Sequence, residues 1–379
     1  MRHLHSGSSV KAYTDDEGAM REALDTSQRD TSVRLERIAA RGRNRSRLRR
    51  GARSRWPALL YVAPALAFLF LFDIWPIFFG FWMSLWRWGV RAEQFIGFGN
   101  YARIFREELL QRSFDGTMQP GGVGNALLVT LYFVIGTVPL TMLLGFAIAL
   151  LLFQNLRGRD LMRTLYFLPH ITPVVAGAMV FGWIFNPQVG VANAVLQRFG
   201  IGPQQWLNDA TPLLKHATNG LGITLFNHIP DAYAGPSVAL ACIILFTIWA
   251  SVGFHTVIFL AGLSNVPGEL YEAARLDGAS GWQVTRAVTL PLLSPTIFFL
   301  AVVSTIGAFQ GFNAIFILSN GSGGPSGTTE SITLHIFKNF YQRPGSTGYA
   351  AAVSFILFFI LLGLTLVQFR VAGRKVHYQ

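Results

Sequence analysis

Six long apolar stretches alternate with polar segments along this chain, at residues 57–85, 126–153, 165–185, 237–263, 292–318 and 348–369. About 20 residues at a helical rise of about 1.5 Å cross roughly 30 Å of hydrocarbon, and each stretch reaches that length. Their apolar positions run almost without a break instead of recurring as a stripe, so they read as helices solvated by lipid. The pattern predicts an all-α polytopic membrane protein with about six transmembrane helices. It also divides the chain into an N-terminal arm, 1–56, a transmembrane domain, 57–371, and a short tail, 372–379.

Composition agrees with that division. Of 379 residues 51% are hydrophobic, 13% are charged and 32 are phenylalanine, proportions for which a water-soluble fold has no use. Cys242, the one cysteine, excludes an intramolecular disulfide and any cysteine-based metal or redox site. The net charge of +12 resembles a nucleic-acid signal until it is mapped, because the arm alone holds 14 Lys or Arg against 7 Asp or Glu. Beside the first apolar stretch, such an arm reads as a disordered cytosolic segment held against anionic headgroups, with no specific nucleic-acid partner. Its acidic residues argue against a transit peptide, and the first apolar run starts too late and runs too long for a cleavable secretory signal.

Counting Lys and Arg by side places 22 with the N-terminus and 9 across the membrane. Both termini and the segment 264–290 are therefore expected in the cytoplasm. The assignment rests on the arm and on Arg157, Arg159 and Arg163 in a short loop. Trp75, Trp82, Trp86 and Trp88 cluster near the expected outer end of the first span, where amphipathic rings prefer the interface. Asp73 is expected near that interface or paired within protein, because a carboxylate facing lipid is costly.

Segment 264–290 reads as two short helices joined by a turn. Pro267 suits a first helical turn, Glu269 and Glu272 favour the positive end of that helix, and Asp277-Gly278 stops it. Ser280 caps a second helix, 281–288, and Pro291 marks the return to the membrane. The spacing Glu272-Ala273-Ala274, three residues, Gly278, nine residues, Val288, one residue, Leu290-Pro291 resembles the EAA loop of bacterial ABC import permeases.

Further segments carry the same resemblance in the same order: F-I-G-F-G-N-Y at 95–101, R-T-L-Y-F-L-P at 163–169, W-I-F-N-P-Q-V-G-V-A-N at 183–193, F-L-A-G-L at 259–263, G-G-P at 323–325 with Thr329-Glu330, and G-Y-A-A-A at 348–352. The chain resembles permease subunits of carbohydrate ABC importers of the maltose, trehalose and glycerol-phosphate type. That implies the type I ABC importer permease fold in a bacterial plasma membrane. The implied partners are a second permease in a heterodimer, two ATPase subunits that hold ATP and Mg, and an extracytoplasmic solute-binding protein. No cofactor is expected on this chain, which carries no G-x-x-x-x-G-K-[ST] motif. Two departures stand out: Val288 replaces the family's isoleucine, and the segment between Asp209 and Ser237 is longer than usual.

An alternating-access cargo site is expected near the bilayer midplane, where polar side chains are few. Phe309, Gln310 and Asn313, at i, i+1 and i+4, would share one face of a continuous fifth helix. Amides suit sugar hydroxyls and an aromatic face suits a pyranose, although interhelical amide bonding would explain the same residues. By the resemblance, sugar contacts fall on Phe309, Gln310 and Asn313 and on Ala250, Ser251 and Phe254. Glu272, Ala273, Ala274, Asp277 and Gly278 would form the ATPase-coupling hook. His255, one step round the helix, reads as structural. The sequence thus reads as a non-catalytic translocation subunit for a sugar or sugar derivative. An ion-coupled secondary transporter is the alternative, and it would show discontinuous helices with ionisable coupling residues.

Overall fold

Backbone polar groups in hydrocarbon must be satisfied within the chain, and the apolar stretches accordingly fold as helices. The computed structural model describes residues 55–112, 118–154, 157–220 and 228–371. The arm up to residue 54 and the tail 372–379 lie outside the described residues. Two units are distinguished, Met1–Phe78 and Phe79–Gln379.

In the first unit the described chain is the start of helix α1, Leu60–Ser84, which carries a π-helical turn at Phe70–Ile74. Asp73 lies in that turn, midway along the helix and exposed, with no ion pair among the described residues.

The second unit is built on α2, Gly122–Phe153, and α5, Val238–Ser264, which run side by side in the same direction. The Tyr132 hydroxyl donates to the Ala232 carbonyl at one end, the Phe146 and Phe259 rings meet at 5.5 Å further along, and Phe153 meets Tyr271 at 6.0 Å beyond the far end. Val353 and Leu357 of helix α11, Thr347–Val371, share an apolar cluster with Val134 and Val138 of α2. Lipid tails are as apolar as these side chains, so the gain comes from close packing and dispersion more than from water release.

The third and fifth expected spans are broken. The third comprises α3, Arg159–Ile171, and α4, Val174–Ile184, and its membrane-length portions meet at 93°. Pro173 forces Thr172 out of the helical region, to ψ 132°, and so ends α3. Gly253 of α5 permits a backbone-to-backbone crossing there, since a Cβ on it would stand 2.2 Å from the Tyr166 carbonyl oxygen. Beyond α5, helices α6, Gly268–Leu276, and α7, Gly281–Val284, lead through a π turn into α8, Ser294–Phe309. The helical run 281–292 meets α8 at 68°. Helix α8 stops before Gln310, and α9, Asn313–Leu318, begins anew. The carbonyl of Gly311, freed by this break, accepts hydrogen bonds from the hydroxyls of Thr333 (2.7 Å) and Ser331 (3.5 Å) at the start of α10, Ile332–Phe337.

Several motif residues turn out to be staples at the end of the bundle remote from α6. Asn100 donates to the carbonyls of Ser84 and Trp86 and pins the hairpin of β1, Trp86–Trp88, and β2, Ala92–Phe95, whose Trp86 and Trp88 rings pack on Trp82. Asn193 bonds both the Gln204 backbone and the Trp206 indole. Glu330 takes His335 at 2.8 Å and Lys338 at 2.5 Å, and Tyr349 joins His335 (3.2 Å) to Glu108 (2.6 Å). Burial pushes the Glu330 carboxyl up, but the hydrogen bonds and charges of His335 and Lys338 outweigh it and hold its pKa below the usual value. The long segment 209–237 folds back on itself, closed by a Pro212–Ser237 bridge and a Lys215–Asp231 ion pair of 2.6 Å. Residues 221–227 within it lie outside the described residues.

Candidate functional site

Where α5 passes the break between α8 and α9, a cavity of about 380 Å³ opens. The sequence-expected Ser251, Phe254, Gln310 and Asn313 all line it. Ala250 and Phe309 do not. Ala250 packs into the apolar cluster around Phe246 and Ile248, and Phe309, 6% exposed, belongs to the cluster with Val138 and Ile332. The expectation of one continuous helix face for Phe309, Gln310 and Asn313 is therefore corrected. The helix ends between them, which sends Phe309 into the core while Gln310 and Asn313 line the cavity.

Polar residues that the sequence argument left out of its site also reach the cavity: Thr137 and Thr141 of α2, His170 of α3, Thr247 and His255 of α5 and Ser304 of α8. Thr141 is already engaged, donating to the Thr137 carbonyl at 2.7 Å. His170 stacks on Phe254 with ring centroids 5.2 Å apart and planes 29° apart. Pro169 and Pro173 flank it, a local sign of a bend that could have drawn attention to this histidine. Ser304 lies 49 residues from His255, and no local pattern announces their pairing. His255 is buried, with Nδ1 donating to the Ser251 carbonyl (3.0 Å) and Nε2 against the Ser304 hydroxyl (2.7 Å). A carbonyl can only accept, so Nδ1 carries a proton, and the ring ties α5 to α8. It is both a structural tie and part of the wall.

The hook between α5 and α8 obeys local rules throughout. Pro267 stands at the N-cap of α6, one residue earlier than expected. Gly278 adopts φ +76°, its N–H donates to the Arg275 carbonyl, and the Ala279 N–H donates to that of Ala274. This pair of bonds is a Schellman termination, which favours glycine at its left-handed position. Ser280 and Gln283 form a reciprocal capping box at the start of α7. The second helix is shorter than the expected 281–288, because a π turn takes over at Thr285–Thr289. Val288 is half-buried, and the buried residue there is Thr289, 2% exposed and 3.4 Å from the Tyr271 hydroxyl. Glu272, Ala273, Asp277 and Gly278 are exposed and Ala274 half-buried. Leu276 is 89% and Trp282 70% exposed, and Leu276 shares the Glu272 face of α6 at i+4.

Known proteins resemble this chain over most of its length. Residues 141–375 match the model of the family described as binding-protein-dependent transport system inner membrane component. The trehalose/maltose transport system permease protein MalF of Thermococcus litoralis is 31% identical over 82% of this chain and 92% of its own length. The sn-glycerol-3-phosphate transport system permease protein UgpA of Rhizobium meliloti is 33% identical over 84% and 95%. The lactose transport system permease protein LacF of Rhizobium radiobacter is 29% identical over 83% and 94%. Among solved structures, a bacterial ABC transporter that imports the acidic polysaccharide alginate aligns with a TM-score of 0.66 over 86% of this chain and 99% of its own. At 22% identity that likeness speaks for the fold.

Proposed function

This chain belongs to the family of binding-protein-dependent transport system inner membrane components, and from that premise we propose that it carries sugar inward by passing ATP-driven motion from partner subunits to the cavity. It is a non-catalytic permease subunit of an ABC system, and hydrolysis belongs to its ATPase partners. The observation that carries the coupling step is the hook. Its turn and both helix ends are fixed by backbone bonds, its base touches the bundle through Tyr271, Phe153 and Thr289, and its Glu272, Leu276 and Trp282 face away from this chain.

A hook of this kind works as a lever. Leu276 and Trp282 offer apolar anchors to a groove on a cytoplasmic ATPase subunit, and Glu272 offers a carboxylate to a basic residue there. The rigid base turns displacement of the hook into displacement of α5 and α8, the two helices that flank it and that line the cavity. A saccharide handed over by an external binding protein would then meet Gln310, Asn313 and the Phe254 ring, first from one side and then from the other. Both termini and the hook lie in the cytoplasm on this reading, with a second permease completing the pathway.

The broken fifth helix fits a secondary transporter equally well, so that feature does not separate the two readings. Ion coupling, however, needs an ionisable group in the cavity, and among the described lining residues the only side chains of a type that ionises near neutrality are those of His170 and His255. Co-purification of the tagged chain from native membranes tests the reading. The expected result is recovery of an ATPase and a second permease, with hydrolysis stimulated by sugar and binding protein. A chain that purifies alone and moves solute without ATP would overturn it.

A further inference from the structure

Membership in the family leaves the charge of the cargo open, because the names of the relatives include neutral sugars and a glycerol phosphate, and the structural neighbour imports an acidic polysaccharide. The cavity is more restrictive. Resting on the sugar-import reading, we propose that this chain's part of the site is built for an uncharged saccharide, with the stacked His170–Phe254 pair as the platform for its apolar face.

Charge is the first argument. Among the described residues that line the cavity there is no Lys or Arg and no Asp or Glu. A phosphate or uronate group entering a low-dielectric cavity loses hydration worth several kcal/mol, and guanidinium or ammonium groups are the side chains that return it. His255, the buried histidine of the wall, already has both ring nitrogens engaged by Ser251 and Ser304. Helix α9 does open at Asn313, but with six residues it has little macrodipole to offer an anion.

Shape and polarity supply the second argument. His170 and Phe254 form a stacked aromatic pair across the α3–α5 crossing that Gly253 makes possible. Aromatic faces pack against the C–H face of a pyranose, and amides that both donate and accept read its hydroxyls. Gln310 and Asn313 supply those amides in the same cavity. The platform comes from α3 and α5 and the amides from the break between α8 and α9, so one cavity offers a ring both an apolar face and polar partners.

Saturation-transfer NMR on the intact complex in nanodiscs tests the proposal, with trehalose, maltose and lactose as neutral probes and sn-glycerol 3-phosphate and an alginate trisaccharide as anionic ones. The neutral sugars should receive saturation and the anions should stay at baseline. His170→Ala, at an exposed position that tolerates truncation, and Phe254→Ala should each lower the neutral signal roughly fivefold, the loss of one stacking contact. Anions saturated as strongly as neutral sugars, and sensitive to Phe254→Ala, would overturn the uncharged cargo while leaving a sugar site in place. A neutral signal untouched by either substitution would overturn the platform. Silence from every saccharide would overturn the sugar-import reading beneath it.

Discussion

The hook and the cavity lie on the same two helices, α5 and α8, yet they are made in different ways. The bonds that shape the turn and caps of the hook span six residues or fewer: Gly278 to Arg275, Ala279 to Ala274, Ser280 with Gln283. The cavity has no such autonomy. Its wall draws on α2, α3, α5, α8 and α9, and the break that turns Gln310 inward is held by hydroxyls 20 and 22 residues away. A lever must keep its shape while it moves as a unit, and local bonds provide that. A site that opens alternately to two sides must change when helices shift, and walls contributed by separate elements provide that.

Three substitutions would break or sharpen this contrast. The largest effect is expected from Gly278→Pro, because proline is held near φ −65° and cannot adopt +76°. Transport and sugar-stimulated hydrolysis should be lost while membrane insertion, followed by immunoblot of the membrane fraction, stays normal; intact coupling would remove the hook from the argument. Thr333→Val comes next. It strips the shorter of the two hydrogen bonds from the Gly311 carbonyl at a cost of about 1 kcal/mol, so the melting midpoint and uptake should both fall while co-purification with partners is unchanged. Uptake equal to wild type would mean that the break holds itself. The smallest effect at neutral pH belongs to Glu330→Gln. Since the folded pKa of Glu330 is depressed, its stabilisation is present above the unfolded value near 4.5 and is lost as pH falls through the lower folded value. Hydrogen exchange of α10 should therefore accelerate on acidification in the wild type and depend less on pH in the variant. Identical profiles would remove the carboxylate from the clamp.

Legibility follows the same divide. Apolar length revealed four spans almost to their ends, because in hydrocarbon a run of apolar residues has one way to satisfy its backbone. The hook was readable from Pro267, Asp277-Gly278 and Ser280, whose preferences act over a single turn. Asn100, Asn193 and Glu330 lay in segments whose order pointed to the family, but their work as staples emerged only with partners 14 to 16, 11 to 13 and 5 to 8 residues distant. The fifth span read as one helix because Gln310-Gly311-Phe312 contains no proline. Only the arrival of Thr333 and Ser331 made the interruption affordable. Phe309 was misplaced for that reason, and His170 was passed over because its neighbour Phe254 lies 84 residues away.

The sequence by itself determined that this chain lives in a membrane, which stretches are apolar enough to cross it, which family it resembles and how its hook turns. Those properties depend on hydrophobic length and on backbone preferences that act within a few residues. The tertiary structure decided which polar side chains share a cavity, which aromatic ring lines it and which is buried, and where a helix breaks. Each of those outcomes depends on a partner from a distant part of the chain, and a freed carbonyl or a buried imidazole is tolerable only once that partner is in place.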